Sequence, residues 1–289
     1  MKPLVVTTIA ELRSLLEDNR AAGRFIGFVP TMGYLHDGHG SLMRAARIDT
    51  DIVVASIFVN PLQFAPDEDL TSYPRDLDHD RVLAGRNGVD VLFVPDVIEM
   101  YPTGEVNTEV SVSDLSTRWE GASRPTHFVG VATVVSKLFN IVGPCRAYFG
   151  QKDFQQLAII RRMVSDLSAP IEVIGCPIVR EPDGLAMSSR NVRLGPEDRA
   201  AAVVLRRALD AGEAAIRNGE RDPTKVESGM TGVINGEPRA RIDYAVVVDP
   251  GTLEIPLAIG PVSQLLVAAY LGNVRLIDND AVELAAGAP

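Results

Sequence analysis

The chain has 289 residues, of which 46% are hydrophobic and 23% charged, so it can build a buried core and disorder of the whole chain is excluded. Its 28 Lys and Arg against 38 Asp and Glu give a formal net charge of −10, which disfavours nucleic acid as a partner. No stretch approaches the roughly 18 apolar residues of a membrane span, and two cysteines far apart in sequence, Cys145 and Cys176, fit a reducing compartment. We therefore expect a cytoplasmic protein that binds neither nucleic acid nor membrane.

Strands and helices are predicted to alternate along the first 178 residues. After a β-branched run at 4–7, Thr8 is predicted to cap a helix, because Glu11 stands at the capping-box spacing. Apolar periodicity then predicts strands at 25–29, 51–58, 91–94, 146–149 and 171–174, and helices at about 39–47, 78–86, 129–142 and 153–167. Such alternation is typical of a doubly wound, Rossmann-like parallel sheet, which binds ligands at the carboxyl ends of its strands.

The pattern changes after about residue 178. A polar loop is followed by one long helix from Pro196 to about Asn218 and by a shorter helix. Three strands at 242–248, 265–270 and 274–277 then follow without intervening helices, which predicts an antiparallel sheet. We therefore predict an α/β fold with a Rossmann-like domain at 1–178 and a smaller α+β domain at 179–289.

The first candidate site is the segment PTMGYLHDGHGS at 30–41, which follows a predicted strand and opens a helix. Glycines allow close approach to a ligand, and the unpaired N–H groups of a helix N-terminus attract anions. His36 and His39 are three residues apart, so both can donate to one phosphate group. A metal pair or ordinary loop histidines are the alternatives. A P-loop is rejected, because His39 stands where the lysine is required and a glycine follows it.

Three further segments carry polar side chains at predicted strand ends or in loops. FVNPLQF places the amides of Asn60 and Gln63 after the second long strand, where the alternative is ordinary turn chemistry. GQKDFQQ places Lys152 at the start of a helix, where an anion is already favoured. AMSSRN offers two hydroxyls and the guanidinium of Arg190, which together can wrap phosphates unless the segment is a plain linker.

Taken together, these segments resemble a known family. HDGH is similar to the HIGH signature, and MSSRN to the KMSKS-type loop, of the nucleotidyltransferase superfamily. The full set resembles the pantoate–β-alanine ligase family over nearly the whole chain, through VPTMGYLHDGH, SIFVNPLQF, YPR, RPTHFVGVATVVSKLF, YFGQKDFQQ and VREPDGLAMSSRN.

The resemblance implies a two-step reaction. ATP, with Mg²⁺, and pantoate give pantoyl adenylate and pyrophosphate, and the amine of β-alanine then attacks the acyl carbon to give pantothenate and AMP. The family also implies a homodimer, a first domain that binds ATP and pantoate, and a C-terminal domain that acts as a lid.

The resemblance also assigns residues. To ATP it assigns Met32, Gly33, Tyr34, Leu35, His36, Asp37, Gly38, His39, Gly150, Gln151, Lys152, Asp153, Val179, Met187, Ser188, Ser189 and Arg190. To pantoate and β-alanine it assigns Asn60, Gln63, Arg124, His127 and Gln156, and to Mg²⁺, through water, Asp80. The residues expected to act in catalysis are His36, His39, Lys152, Ser188, Ser189 and Arg190.

Three positions depart from the family's usual residues: Gly40 in place of Leu, Gln151 in place of Glu, and His79 in place of an acidic residue. Gly40 is expected to leave a packing gap, and His79 puts the water contacts of Mg²⁺ in doubt. Two other functions stay open at this point. One is another nucleotidyltransferase that adenylylates a phosphate ester, and the other is a non-catalytic module that senses an adenylate.

Overall fold

A computed structural model describes residues 2–64, 70, 73–104 and 106–284 of the chain. They form two compact units. The first unit consists of Met1–Gln151 and Gln155–Pro177, and the second of Lys152–Phe154 and Ile178–Pro289. The short segment Lys152–Phe154 therefore groups with the second unit, although its neighbours in sequence on both sides belong to the first.

The described part of the first unit contains a six-stranded parallel sheet in the order β1-β4-β3-β2-β5-β6. Its strands are β1 (Leu4–Val6), β2 (Ile26–Thr31), β3 (Ile52–Ile57), β4 (Val91–Phe93), β5 (Cys145–Gly150) and β6 (Ile171–Cys176). The helices are α1 (Ile9–Ala21), α2 (Asp37–Asp49), α3 (Leu77–Arg86), α4 (Val97–Met100), α5 (Trp119–Ser123), α6 (His127–Val142) and α7 (Phe154–Asp166).

Both faces of this sheet are covered by helices. Successive strand residues point to opposite faces, so Phe28 packs in one apolar cluster and its neighbour Val29 in another. The cluster of Phe28 includes side chains of α1, α6 and α7, whereas that of Val29 includes side chains of α2 and α3. The prediction of a doubly wound parallel sheet is thereby confirmed.

The described part of the second unit contains a three-stranded antiparallel sheet and three α-helices. They are β7 (Ala240–Val248), β8 (Val262–Leu271), β9 (Val274–Glu283), α8 (Pro196–Ala201), α9 (Val204–Arg217) and α10 (Pro223–Asn235). The antiparallel sheet was predicted from the sequence. The single long helix was not correct, because the N–H of Leu205 bonds to the carbonyl of Ala202 at 3.2 Å and tightens the chain between α8 and α9.

The order of the strands decides where a ligand is expected. The chain runs from β2 outward through β3 to β4 and then crosses to β5 on the other side of β2. In a doubly wound sheet the crevice at such a reversal, outside the carboxyl ends of the strands, is the usual ligand site. The segment after β2 carries both predicted histidines, and the segment after β5 carries Lys152. None of the described helices is long and apolar enough to cross a membrane.

Candidate active site

The two histidines form a capping box at the start of α2. His36 is the N-cap residue, and its Nδ1 accepts a hydrogen bond from the backbone N–H of Gly38 at 3.2 Å. The backbone N–H of His36 in turn donates to Nδ1 of His39 at 3.3 Å, and the ring centroids lie 4.1 Å apart. The helix therefore begins two residues earlier than the sequence predicted, because the imidazole of His36 replaces the usual Ser, Thr or Asp cap.

These caps fix the tautomers of both rings. A nitrogen that accepts a hydrogen bond carries no proton, so in the neutral imidazole the proton lies on the other nitrogen. Nε2 is therefore the donor atom of both His36 and His39, beside the N-terminus of a 13-residue helix. Both side chains are half-buried. This arrangement provides two neutral donors and a helix dipole for an anionic ligand.

The loop in front of these histidines is held by α3. The buried carboxylate of Asp80 accepts the backbone N–H of Tyr34 at 2.9 Å and that of Leu35 at 2.6 Å. Nε2 of His79 lies 3.3 Å from the carbonyl of Leu35 and donates to it, since a carbonyl oxygen only accepts. Gly33 has φ +85°, and a Cβ there would lie 2.9 Å from Ile57 and 3.0 Å from the Asp80 carboxylate.

Asp80 and His79 therefore hold the loop in place. Burial of Asp80 also changes the pKa of its carboxyl group. Desolvation raises the pKa of the Asp80 carboxyl above its ordinary value, and the hydrogen bonds from Leu35 and Tyr34 oppose that rise. The expected contact of Asp80 with Mg²⁺ through water stays a prediction.

Gly40 does not leave the packing gap that the sequence suggested. It is buried in α2, and a Cβ at this position would lie 3.0–3.1 Å from the side-chain amide of Asn87. The side chain of Asn87 fills the space that a larger residue would need, and it also accepts a hydrogen bond from Arg44. At Gly40 the side chain of Asn87 therefore takes the place of the larger side chain that the family usually has here.

The segment after β3 brings Asn60 and Gln63 together. Asn60 caps a short 3₁₀ turn at Pro61–Gln63 and is only 1% exposed. Its Nδ2 donates to Oε1 of Gln63 at 3.2 Å and to the carbonyl of Gly130 at 3.1 Å. A Cβ at Gly130 would lie 2.2 Å from the carbonyl oxygen of Leu62, so α6 approaches this segment as closely as only glycine permits.

Arg124 and His127 also contact Gln63. Nη2 of Arg124 donates to the main-chain carbonyl of Gln63 at 3.4 Å, and Nδ1 of His127 lies 3.0 Å from the same oxygen. Nε2 of Gln63 donates to the sulfur of Met32 at 3.0 Å, which joins this segment to the histidine loop. The structure therefore gathers four predicted residues around Gln63: Met32 from the ATP set, and Asn60, Arg124 and His127 from the substrate set.

Of the two adjacent glutamines that end GQKDFQQ, Gln155 and Gln156, only Gln156 remains a candidate for substrate contact. Gln155 is buried, accepts the backbone N–H of Glu120 at 3.1 Å, and donates to the carbonyls of Leu115 and Arg118 at 2.7 and 2.8 Å. Its amide holds the segment before α5 in place. Gln156, on α7, is half-buried.

Lys152 is held by residues of the second unit. Its side chain is 18% exposed, and Nζ lies 3.2 Å from Oδ1 of Asp153. Its carbonyl accepts a hydrogen bond from Nδ2 of Asn279 at 2.7 Å, and Oδ1 of Asn279 accepts from Nε2 of Gln264 at 2.8 Å. Both amides are buried on neighbouring strands, β9 and β8, so Lys152 is fixed to that sheet through its main chain.

The Ser-Ser-Arg loop belongs to the same unit. A small hairpin precedes it, in which the N–H of Met187 bonds to the carbonyl of Val179 at 2.9 Å and Arg180 pairs with Ala186. Arg180 also forms a two-pronged ion pair with the buried carboxylate of Asp278, with distances of 2.6 and 3.1 Å. The N–H of Arg190 donates to Oγ of Ser188 at 3.2 Å and closes the loop.

Asp278 and Asn279 are consecutive on β9, so one strand supports both Lys152 and the hairpin. Asp278, Asn279 and Gln264 were not predicted as functional residues. They lie just beyond the strands predicted at 274–277 and 265–270, and isolated polar residues at a strand end give no signal of long-range contacts. The remaining predicted ATP residues fall where the motifs place them: Gly150 at the end of β5, Gln151 and Asp153 in the 3₁₀ turn after it, Asp37 and Gly38 in the first turn of α2, and Ser189 in the loop beside Ser188.

The fold and these residues define a class of protein. In the first unit, loops at the carboxyl ends of parallel strands carry neutral donors and paired amides, which is typical of α/β enzymes that bind a small molecule. No group of three or more His, Cys, Asp or Glu side chains arranged to hold a metal ion lies within the described ranges.

Comparison with known proteins identifies the family. The family model described as Pantoate-beta-alanine ligase matches residues 4–281. The pantothenate synthetase of Sinorhizobium medicae is 55% identical over 95% of this chain and 94% of its own length, and that of Thermotoga neapolitana is 52% identical over 95% and 98%. The chain therefore belongs to the pantoate-beta-alanine ligase family and is a ligase.

Solved structures agree with this assignment. The crystal structure of pantothenate synthetase from Thermus thermophilus has a TM-score of 0.92 at 49% identity, covering 97% of this chain and 99% of that one. A pantoate-beta-alanine ligase from Francisella tularensis, complexed with beta-gamma ATP and beta-alanine, has a TM-score of 0.79 at 33% identity, covering 96% and 97%.

Proposed function

We propose that this ligase makes pantothenate through an acyl adenylate. A carboxylate oxygen of pantoate attacks the α-phosphorus of ATP, the P–O bond to the leaving group breaks, and pyrophosphate departs. The amine of β-alanine then attacks the acyl carbon, the bond to AMP breaks, and the amine loses a proton. The observation that carries this proposal is the pair of Nε2 donors, held by a histidine capping box at the sheet's reversal point.

Family membership supports the choice of substrates. The Francisella relative is described as complexed with beta-gamma ATP and beta-alanine, and it matches 96% of this chain. We extend both ligands to this chain as ATP and β-alanine. The amides of Gln63 and Gln156 fit a small hydroxy acid, since amides bind hydroxyls and carboxylates without adding charge. This argues against a phosphate ester as the group that is adenylylated.

The negative charges of pantoate and ATP explain why the site needs basic groups. The first step brings a carboxylate to a polyphosphate, so positive charge and N–H donors must offset the repulsion between anions. We assign this role to Lys152, Arg190, the N-terminus of α2 and the two imidazole Nε2 donors. The hydroxyls of Ser188 and Ser189 supply further donors.

Neither cysteine is needed as a covalent nucleophile. Burial raises the pKa of the Cys145 thiol to about 12 and also raises that of Cys176, so the reactive thiolate is disfavoured at neutral pH. The water-sensitive adenylate instead requires a dry site.

We propose that Mg²⁺ enters as part of the MgATP substrate. Mg²⁺ commonly binds substrate phosphates together with one or two carboxylates. The acidic candidate, Asp80, is buried and already accepts two main-chain N–H groups, so the phosphates would supply most of the ligands. The homodimer implied by the family and the cytoplasmic location expected from the sequence stay predictions, which light scattering and cell fractionation would check.

Exchange of labelled pyrophosphate into ATP tests the adenylate directly. Exchange is expected with pantoate and Mg²⁺ present and β-alanine absent, because the first step does not involve the amine. Omitting pantoate should abolish it, since its carboxylate is the nucleophile. A requirement for β-alanine would contradict the separate adenylate, and formation of ADP would place the attack at the γ-phosphorus.

Two variants separate the capping role of His36 from its role toward phosphate. Asn is a strong N-cap residue, so His36→Asn should keep the start of α2 but lose the Nε2 donor. His36→Ala should lose both. We expect both variants to slow the exchange, while only His36→Ala lowers the melting temperature. Normal exchange in His36→Asn would remove His36 from the phosphate site.

Gln63→Ala is expected to weaken pantoate binding far more than ATP binding. A hydrogen bond to a charged group contributes about 1.5–3 kcal/mol, which corresponds to roughly ten- to hundredfold in affinity. Calorimetric titration of each substrate would measure the effect. Asn140→Ala, which removes an exposed amide from α6, is the control and should change neither affinity. Weakened ATP with unchanged pantoate would show that the pocket is assigned the wrong way round.

A further inference from the structure

A buried tyrosine is linked to Gln63 through one side chain. Tyr101 follows α4 and is 7% exposed. Its hydroxyl donates to Oδ1 of Asn60 at 2.8 Å, and Nδ2 of Asn60 donates to Oε1 of Gln63 at 3.2 Å. The three polar groups therefore form a directed chain of hydrogen bonds inside the first unit. Neither the sequence motifs nor the family assignment singled out Tyr101.

The surroundings of Asn60 permit only one orientation of its amide. Oδ1 accepts from the hydroxyl of Tyr101 and from the backbone N–H of Leu62 at 3.4 Å, while Nδ2 faces the carbonyl oxygens of Gly130 and of the Gln63 side chain. Rotation of the amide by 180° would set Nδ2 against the N–H of Leu62 and Oδ1 against the carbonyl oxygen of Gly130. Burial raises the pKa of Tyr101 to about 12, so its hydroxyl keeps the proton that it donates.

The fixed amide of Asn60 in turn orients Gln63. Because Nδ2 can only donate, it selects Oε1 of Gln63 and leaves Nε2 on the side of Met32, whose sulfur it contacts at 3.0 Å. A thioether sulfur is a weak acceptor, so an anionic oxygen would readily take its place. The main chain of Gln63 is held independently by Arg124 and His127, which leaves the side-chain amide as the part that Asn60 controls.

We propose that Tyr101 is a positioning residue for the hydroxy-acid substrate. It acts through Asn60 to set the polarity of Gln63, so that Gln63 presents its N–H₂ group, rather than its carbonyl, to an oxygen of the substrate. This inference rests on the proposed assignment of Gln63 to pantoate. Asn60 then acts on the substrate only through Gln63, because both ends of its amide already bond to other protein groups.

The test compares two buried tyrosines that each lose one hydroxyl. Tyr101→Phe keeps the ring, which packs edge-on against Phe58, and removes only the link to Asn60. Tyr148→Phe is the matched control: Tyr148 is fully buried in β5, and its hydroxyl bonds to Asp49 at the C-terminal end of α2. Both variants should lose comparable thermal stability. Only Tyr101→Phe should raise the KM for pantoate, by about three- to tenfold, with the KM for ATP unchanged.

A double-mutant cycle shows whether the effect passes through Gln63. In a Gln63→Ala background, Tyr101→Phe should cause no further rise in the pantoate KM, because the amide that it orients is gone. An additive rise would overturn the chain of contacts, as would equal KM changes in Tyr101→Phe and Tyr148→Phe. Asn60→Asp provides a second route: its carboxylate accepts from Tyr101 but cannot donate to Gln63, so the pantoate KM should again rise.

Gln63→Ala and Tyr101→Phe together show whether the assignment of Gln63 or the role of Tyr101 is at fault. If Gln63→Ala leaves pantoate binding unchanged, the assignment of Gln63 is wrong and the inference falls with it. If Gln63→Ala weakens pantoate while Tyr101→Phe and Asn60→Asp do not, the proposed function stands and the positioning role of Tyr101 is refuted.

Discussion

Replacing Lys152 by Ala is expected to slow pyrophosphate exchange by about 10²–10³, the scale of losing one group that stabilises developing charge. The affinity for pantoate should change little, because pantoate is assigned to the amides near Gln63. The ammonium group is the part that matters, since the main chain of Lys152 is already fixed by Asn279 on β9. The fold should therefore survive the substitution, with a melting temperature close to that of the wild type.

Two further variants sharpen this test. Lys225→Ala removes an exposed lysine that pairs with Glu220, and it should leave the exchange rate unchanged. Asn279→Ala keeps the ammonium group but removes the hydrogen bond to the Lys152 carbonyl, so we expect a smaller loss, about tenfold. Near wild-type exchange by Lys152→Ala at saturating ATP would remove Lys152 from the catalytic set.

The sequence predicted the class of fold because its signals are local. A buried parallel strand is a nearly continuous apolar run, and such runs alternate with helical periodicity through the first unit. The sequence could not predict that Lys152–Phe154 groups with the second unit, because this depends on Asn279, which is more than 100 residues further along the chain.

Motifs located the candidate site, but they did not predict the contacts that two of its side chains make inside the protein. Asn60 reads as a ligand-binding amide at a strand end, yet it is buried and holds Gln63. Asp80 reads as an acidic residue near Mg²⁺, yet its oxygens accept main-chain N–H groups. In both cases the residue type was informative, whereas its partners depend on packing between elements distant in sequence.

Asp80→Asn decides between these two interpretations of the buried carboxylate. The neutral amide keeps the shape of the side chain, but one of its two polar atoms is now a donor and opposes the N–H of Tyr34 or Leu35. We expect the loop before His36 to shift and the exchange rate to fall by up to about 100-fold, as a displacement of about 1 Å in a catalytic group can cause. Asp90→Asn also removes a carboxylate that accepts a main-chain N–H. Asp90 directly precedes β4, at the amino ends of the strands, so this variant should lower stability without slowing exchange.

The dependence on Mg²⁺ and on pH then shows how Asp80 acts. If Asp80 positions the loop, Asp80→Asn should leave the Mg²⁺ concentration for half-maximal exchange unchanged. If Asp80 contacts Mg²⁺ through water, the variant should need more Mg²⁺, and full recovery of exchange at high Mg²⁺ would contradict positioning.

Because burial raises the folded-state pKa of Asp80, the protonated carboxyl favours the folded state, and stability is lost as pH rises through that pKa. Asp80→Asn cannot titrate, so this loss in the free energy of unfolding should disappear in denaturant titrations from acid to neutral pH. If Asp80→Asn loses activity and is no more stable than the wild type at neutral pH, the two main-chain hydrogen bonds outweigh the cost of the buried charge.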